Sequence, residues 1–412
     1  MGEGMLDRYE QVVGSGEIFK LRQLAEALKG ARVVHVNSTR EGGGVAEILH
    51  RLVPLQRELG LDASWEVING DPEFYECTKS FHNALQGNHT DIPASLLEVF
   101  EQTNRENAEA MRESLAGADY VFIHDPQPLP LLRYIGGRRG KWIWRCHIDV
   151  SRPYRPVWKY LRNFVEEYDA TVWSLAAFAQ PLPHPSYLIA PSIDPLSEKN
   201  IELDDCEIAS VCAQYGLDPT RPLIVQVSRF DRFKDPLGVI QAFRMVKTHT
   251  PVQLVLAGGG ATDDPEGAKM LEEVRAAADD PDIHVLLLPP DVHRTINALQ
   301  RAATIVLQKS VREGFGLTVT EAMWKGKAVV GGDTGGIRLQ VLNHHTGFRV
   351  STPEGAALRI RYLLKRPDKL KQMGQWAKQL VLENFLLTRQ LLQHLTLMLG
   401  VAGDPLERIE LQ

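Results

Sequence analysis

The sequence predicts an α/β protein of two doubly wound domains, each a parallel sheet flanked by helices. Three observations carry this prediction. Short apolar runs rich in Val, Ile and Leu recur along the chain, amphipathic segments of helical period lie between them, and a polar stretch, "LSEKNIELDDCE" (196–207), divides the runs into two series.

The first series is "ARVVHVN" (31–37), "ASWEVIN" (63–69), "DYVFIH" (119–124), "KWIWRCH" (141–147), "ATVWSL" (170–175) and "SYLIAPS" (186–192). Between the first two lies "VAEILHRLVPLQRELG" (45–60), whose apolar residues recur three and four apart, as one face of a helix requires. The second series is "PLIVQVS" (222–228), "VQLVLAG" (252–258), "IHVLLLP" (283–289), "ATIVLQ" (303–308), "KAVVGG" (327–332) and "TGFRV" (346–350). The segment 370–400 is strongly helical and either caps the second domain or crosses back onto the first. The expected domains are therefore 1–195 and 196–385, with 386–412 as a C-terminal helix and a linker near 193–207. Ligands of such sheets bind beyond the carboxyl ends of the strands, so a site in a central cleft faced by the two domains is expected.

With 412 residues the chain is long enough for two cores and an enzyme cleft. Its composition, 44% hydrophobic and 24% charged, is that of a globular protein. A formal net charge of −6 without a long basic run argues against nucleic acid as a partner. Small molecules are the expected partners, and a homodimer is left open. No apolar run reaches the ~18 residues of a membrane span, and "MGEGMLDRYEQ" lacks the pattern of a signal peptide, so a cytoplasmic protein without membrane attachment is expected. Cys77, Cys146, Cys206 and Cys212 show neither a CxxC pair nor zinc spacing and are expected to be reduced and mostly buried.

Chemistry concentrates at the ends of the predicted strands. In "VREGFGLTVTEAMWKGKAVVGGDTGG" (311–336), Glu313 precedes a bend at Gly314, Phe315 and Gly316, and a short helix begins near Leu317. The glycines permit close backbone approach, and the N–H groups of the new helix suit a phosphate. Glu313, at a strand end, is either a surface carboxylate or a group for sugar hydroxyls and developing positive charge. Glu321 has the T-x-x-E spacing of a capping box with Thr318, and that reading stands beside a binding role. In "QVSRFDRFKDP", Arg229 and Lys234 follow a strand closely enough to grip a diphosphate together. In "NSTREGGGVAEIL", Gly42, Gly43 and Gly44 join a strand to a helix, again leaving N–H donors, with Asn37 at the strand end. The spacing of neither a dinucleotide fingerprint nor a P-loop is present. His124 and Asp125 in "HDPQP", and His147 and Asp149 in "RCHIDVSRP", form two strand-end pairs able to bind hydroxyls or handle protons. They do not make a metal site by spacing, and Asp263 and Asp264 in "GGGATDDPEG" read as a polar turn, so no metal is expected.

Together these motifs resemble the family 4 retaining glycosyltransferases. The E-x7-E pattern is Glu313 with Glu321 in "EGFGLTVTE", and the basic pair is Arg229 with Lys234. Within that family the stretches "NSTREGGGVAEIL", "FHNALQG", "HDPQP", "WRCHIDVSRP", "APSIDPLSEKN" and "REGFGLTVTEAMWKGK" are similar to the trehalose-forming branch, the trehalose glycosyltransferring synthases. The resemblance covers nearly the whole chain and implies two Rossmann-like domains, an N-terminal one for the acceptor and a C-terminal one for the nucleotide-sugar donor. It implies reversible transfer of glucose from a nucleotide-diphosphate glucose, such as UDP-glucose or ADP-glucose, to free glucose, giving α,α-trehalose. No cofactor or metal is implied, since the nucleotide sugar is itself a substrate.

The same resemblance implies the roles. Arg229 and Lys234 neutralise the leaving diphosphate, Glu321 binds the ribose, Glu313 binds the donor sugar, and His147 meets the donor glucose near the reacting centre. Gly43, Gly44, Gly314, Phe315, Gly316 and Leu317 line the nucleotide sugar, and Asn37, His124, Asp125 and Asp149 the acceptor. The chain departs from the family pattern at Asp235, where glycine commonly follows the lysine, which puts the local loop geometry in question. Two other readings share these residues: a trehalose phosphorylase of the same fold, and a non-catalytic sensor of sugar nucleotides.

Overall fold

The apolar runs expected to be strands are strands, with ends moved by a few residues. The computed structural model of the chain describes residues 4–41, 43–259, 265–289 and 291–403. Among them, β1 (Arg32–Asn37), β2 (Asp62–Val67), β3 (Tyr120–His124), β4 (Lys141–Cys146), β5 (Ala170–Trp173) and β6 (Ser186–Leu188) form a six-stranded sheet in the order β2-β1-β3-β4-β5-β6. A second six-stranded sheet holds β7 (Leu223–Val227), β8 (Gln253–Gly258), β9 (Ile283–Leu287), β10 (Ile305–Gln308), β11 (Val329–Gly332) and β12 (Gly347–Val350), in the order β12-β11-β10-β7-β8-β9. All pairings within both sheets are parallel.

Each order reverses direction once. The chain winds outward from β1 to β2 and then returns to place β3 on the other side of β1, and it does the same around β7, flanked by β8 and β10. At such a switch point the loops after the two neighbouring strands diverge and open a crevice at their carboxyl ends. The loops leaving Asn37 and His124 bound the first crevice, and those leaving Val227 and Gln308 bound the second.

The chain divides into two compact units, one of Met1–Ser192 with Leu387–Gln412, the other of Ile193–Leu386. The first core carries large aromatics from neighbouring strands, with Trp142, Trp144 and Trp173 fully buried. Trp144 meets Trp173 edge to face at 5.4 Å between centroids, an arrangement worth about 1 kcal/mol beyond the area buried. The second core is aliphatic, built on Ile224, Leu254, Leu256, Ile305, Leu307 and Val330. Strands covered on both faces need such uninterrupted apolar runs.

The strongly helical segment 370–400 spans two helices, Pro367–Asn384 and Leu387–Ala402, the second starting beside the boundary expected at 386. The break lies at Phe385, which takes φ −129° and ψ 19°. There the backbone N–H of Ile193 donates to the carbonyl of Phe385 at 2.9 Å, and Ile193 and Leu386 form a β-bridge. This long-range pairing, invisible to helical periodicity, ends the helix. The first of the two packs against the helix Leu317–Trp324 and the second against the helix Ser15–Glu26. No helix among the described residues is long and apolar enough to cross a membrane.

Candidate functional site

The switch point of the second sheet brings the basic loop and the glutamate bend together. After β7 the chain makes a tight turn in which Asp231 accepts from the N–H groups of Phe233 (2.9 Å) and Lys234 (3.1 Å). Gln226, buried in β7, donates to the carbonyl of Lys234 at 3.0 Å and so ties the turn to the sheet. Lys234 is thereby aimed across to the end of β10, where its Nζ donates to both oxygens of Glu313, at 2.8 and 2.7 Å. Ser310 Oγ donates to the same carboxylate at 3.1 Å. The side chains of Lys234 and Glu313 are only 16% and 10% exposed. Arg229 differs: its side chain is 70% exposed and pairs with Asp231 at 3.2 Å. The two cations expected to act alike stand in unlike surroundings.

Asp235, the departure from the family pattern, has a physical account. It takes φ 49° and ψ 52°, the left-handed region that favours glycine and that Asp tolerates better than most residues. Its carboxylate caps the helix Pro236–Lys247 through the N–H of Gly238 (3.1 Å) and pairs with the buried ammonium of Lys309. The added acid is thus spent on the helix and on a lysine, and the turn is kept.

The glycines beyond the next apolar run explain themselves by contact. The loop after β11 lies against the Glu313–Gly316 bend so closely that a Cβ on Gly335, whose φ is 44°, would sit 1.6 Å from the carbonyl oxygen of Glu313. Gly336 donates its N–H to the carbonyl of Gly314 at 3.0 Å, and buried Gln340 donates to that of Phe315 at 2.7 Å. The carbonyls of the bend are therefore held from behind. Phe315 is buried against Phe385, with ring centroids 5.6 Å apart. The helix starts at Leu317 with Gly316 as its N-cap and no side-chain cap. This overturns the capping-box reading of Thr318 and Glu321: Glu321 lies well inside the helix, buried, with its backbone carbonyl accepting from Lys325 Nζ at 3.1 Å. Burial lowers the Lys325 ammonium to about 7, with the charge of Glu321 opposing the shift.

At the switch point of the first sheet a cavity of about 140 Å³ is lined by Asn37, Ser38, Thr39, Gly43, Gly44, Val45, Ala46, His124, Asp125 and Gln127. Gly43 precedes the helix Gly44–Glu58 with φ 82°. Gly42 lies outside the described residues, as do Asp263 and Asp264. Asn37 is fixed by accepting from Trp65 Nε1 and donating to the carbonyl of Thr39, both at 2.8 Å. Asp125, at φ 63°, accepts the backbone N–H of His147 at 2.7 Å. Burial raises its carboxyl to about 6, opposed by that N–H and by Arg145. Asp149 stands apart from the cavity lining and accepts the N–H of Ser151 at 2.9 Å, a local turn contact.

His124 and His147 belong to a longer array. His124 Nδ1 lies 3.1 Å from His147 Nε2, and His124 Nε2 lies 3.1 Å from Nδ1 of His35, whose Nε2 lies 3.1 Å from Gln56 Oε1. Burial lowers His35 to about 4 and pushes His124 and His147 well below the usual histidine range, with the neighbouring Arg145 adding to the effect on both. Their nitrogens bond one another rather than converge on a cation, and among the described residues no group of three metal-ligating side chains is found. His35 and Gln56 were missed by motif reasoning. Their signal was a polar residue inside an apolar pattern: His35 within "VVHVN" and Gln56 on the helix face that buries Leu52 and Leu55.

Comparison with known proteins respects the same division of the chain. Residues 35–180 match a family model described as "Trehalose synthase, N-terminal domain", and residues 210–380 match "Glycosyl transferases group 1". The chain is 46% identical over 408 residues to a trehalose synthase of Pyrococcus horikoshii, covering 98% of both chains. It is 42% identical over 409 residues to one from Rubrobacter xylanophilus, again covering 98% of both. Among solved structures, a UDP-forming α,α-trehalose-phosphate synthase from Burkholderia xenovorans in complex with glucose-6-phosphate matches with a TM-score of 0.70 at 15% identity, over 91% of this chain and 100% of that one. At that identity the likeness is one of fold, the B-type glycosyltransferase fold.

Proposed function

The chain belongs to the trehalose synthase family of group 1 glycosyltransferases, and from that premise we propose that it transfers glucose from a nucleotide-diphosphate glucose to free glucose, reversibly and with retention, giving α,α-trehalose. The observation that carries the choice of acceptor is the cavity at the first switch point. Its lining offers an amide pair, hydroxyls, a histidine and one carboxylate, and neither lysine nor arginine. Such a lining suits an uncharged sugar, whereas a sugar phosphate would meet the Asp125 carboxylate without a cation to neutralise it. Arg40 is turned away to the carbonyl and ring of Trp65.

In this reading the donor is held by the second unit. Lys234 leaves Glu313 for the diphosphate, Arg229 adds an outer positive charge, and Glu313 takes hydroxyls of the donor sugar. Glu321 receives the ribose, and the bend Gly314–Leu317 presents backbone N–H groups to the nucleotide sugar. As the diphosphate departs, negative charge grows on it and positive charge on the sugar, so the cation at the phosphate and the carboxylate at the sugar stabilise the transition state more than the ground state. No metal is needed for that, and a cytoplasmic setting fits the free cysteines.

The test is a product assay with glucose or glucose 6-phosphate against a panel of nucleotide-diphosphate glucoses. Trehalose from free glucose is expected. Faster turnover with glucose 6-phosphate would sink the acceptor assignment, and trehalose cleavage by inorganic phosphate without nucleotide would move the chain to the phosphorylase reading.

A further inference from the structure

The linked rings of His35, His124 and His147 obey a simple rule. Each contact between two ring nitrogens holds one proton, and a neutral imidazole carries one N–H. If His124 donates on one side it must accept on the other, so the array has only two neutral arrangements, all three protons on Nε2 or all three on Nδ1. Gln56 decides between them. It is fully buried, and its carbonyl oxygen, an acceptor only, faces His35 Nε2 at 3.1 Å. His35 therefore donates to Gln56, His124 donates through Nε2 to Nδ1 of His35, and His147 donates through Nε2 to Nδ1 of His124. This is also the arrangement in which each ring holds the tautomer that a neutral histidine favours in water.

We propose that Gln56 and His35 are positioning residues that, through His124, fix His147 as the Nε2–H tautomer and leave its Nδ1 as a hydrogen-bond acceptor for a sugar hydroxyl. The array acts as a one-way ratchet of donors whose setting is made in the helix Gly44–Glu58 and read at the end of β4. His394, on the helix Leu387–Ala402, closes its inner side, stacked on Phe122 at 5.2 Å and facing His35 at 6.3 Å. The charged groups beside it are Arg145 and Asp125; burial disfavours imidazolium in all three rings and the guanidinium adds to it in His124 and His147, so the rings stay neutral and the one-proton rule holds. The sugar contact of His147 rests on the reading given above, whereas the direction of the array rests on the ring contacts and on the Gln56 oxygen that faces His35 Nε2.

The experiment is nitrogen NMR of the full chain labelled with 15N-histidine, in which long-range proton–nitrogen correlations distinguish the two tautomers. In the wild type at neutral pH, His35, His124 and His147 should all carry the proton on Nε2. Gln56→Leu removes the bias, so His147 should become a mixture of tautomers and trehalose-forming turnover should fall by roughly tenfold, a loss in keeping with a mis-set tautomer or supporting shell. Gln56→Glu, whose carboxylate also only accepts, should restore Nε2–H on His147 and decides the matter if the leucine variant does not fold. Protonation of His147 on Nδ1 in the wild type, or an unaltered His147 tautomer in Gln56→Leu, overturns the proposal. A wild-type chain with the expected tautomers that makes no trehalose would instead refute the proposed reaction and leave the array's direction standing.

Discussion

Replacing Glu313 by Gln should tighten the binding of a bare nucleoside diphosphate while crippling transfer. Lys234 is already occupied, its Nζ 2.7 and 2.8 Å from the two oxygens of Glu313. At 2.7 Å and an effective dielectric of about 20, the gross attraction is about 6 kcal/mol. Desolvation of two largely buried groups offsets most of it, and the low end of measured couplings for close charge pairs, about 1.5 kcal/mol, is the part a diphosphate must displace. Glutamine keeps the shape and releases that amount, so the dissociation constant should fall by roughly tenfold. Turnover should drop by about a hundredfold or more, because the carboxylate no longer stabilises the positive charge that develops on the donor sugar. Calorimetric titration with UDP and ADP, with and without a chelator, reads the first effect, and steady-state kinetics the second. Affinity that is unchanged or weaker in Glu313→Gln would refute the idea that Glu313 and the diphosphate compete for Lys234.

The two cations should separate in the same titration. Lys234→Ala, at a largely buried position, is expected to weaken diphosphate binding by about 2–5 kcal/mol, and Arg229→Ala, mostly exposed, by less than about tenfold with a strong dependence on salt. Asp235→Ala loses a helix cap, leaves the buried Lys309 ammonium without its partner and forces a side chain less tolerant than Asp into the left-handed region, so it should lower stability by about 4–5 kcal/mol, whereas Asp235→Gly, which relieves only the backbone, should cost about 1 kcal/mol less in thermal or urea unfolding. Lys325 has its ammonium depressed to about 7 by burial. A depressed pKa contributes stability above the unfolded value near 10 that is lost as pH falls towards 7, so the melting temperature of Lys325→Met relative to wild type should rise as pH is lowered from about 9 to 6. A difference independent of pH would mean that the lysine is not held neutral.

The strands were legible because a doubly covered parallel sheet needs unbroken β-branched and aliphatic runs, and "LIVQV" or "QLVLAG" allows little else. The sheet orders were not, since nothing in a run of valines says which neighbour it takes. With the orders known, the motifs fall into place: Asn37 and His124 flank one reversal of winding, Lys234 and Glu313 the other. Capping at Thr318 failed because Gly316 starts the helix earlier, and the cause of the break at Phe385 could not be read because Ile193 lies far away in sequence. Asp149 was grouped with Asp125 because each stands just after a strand-end histidine, but one carboxylate faces the cavity and the other serves its own turn. The difference between Arg229 and Lys234 likewise depends on Glu313, a partner that local sequence does not reveal.

The bridge between Ile193 and Leu386 has a bearing on how the chain is made. It joins the two ends of the second unit, so that unit is an insertion whose entry and exit meet, and all of its strands emerge between those points. The first unit is interrupted: β1 to β6 are synthesised before it, but the helix Leu387–Ala402, which lays His394 over Phe122, is synthesised after. Domains ordinarily fold in the order in which they leave the ribosome. Here the domain that starts first must wait, without the helix that covers Phe122, until the whole of the other has passed, and the closing of the inserted domain's ends delivers the last helix to its place.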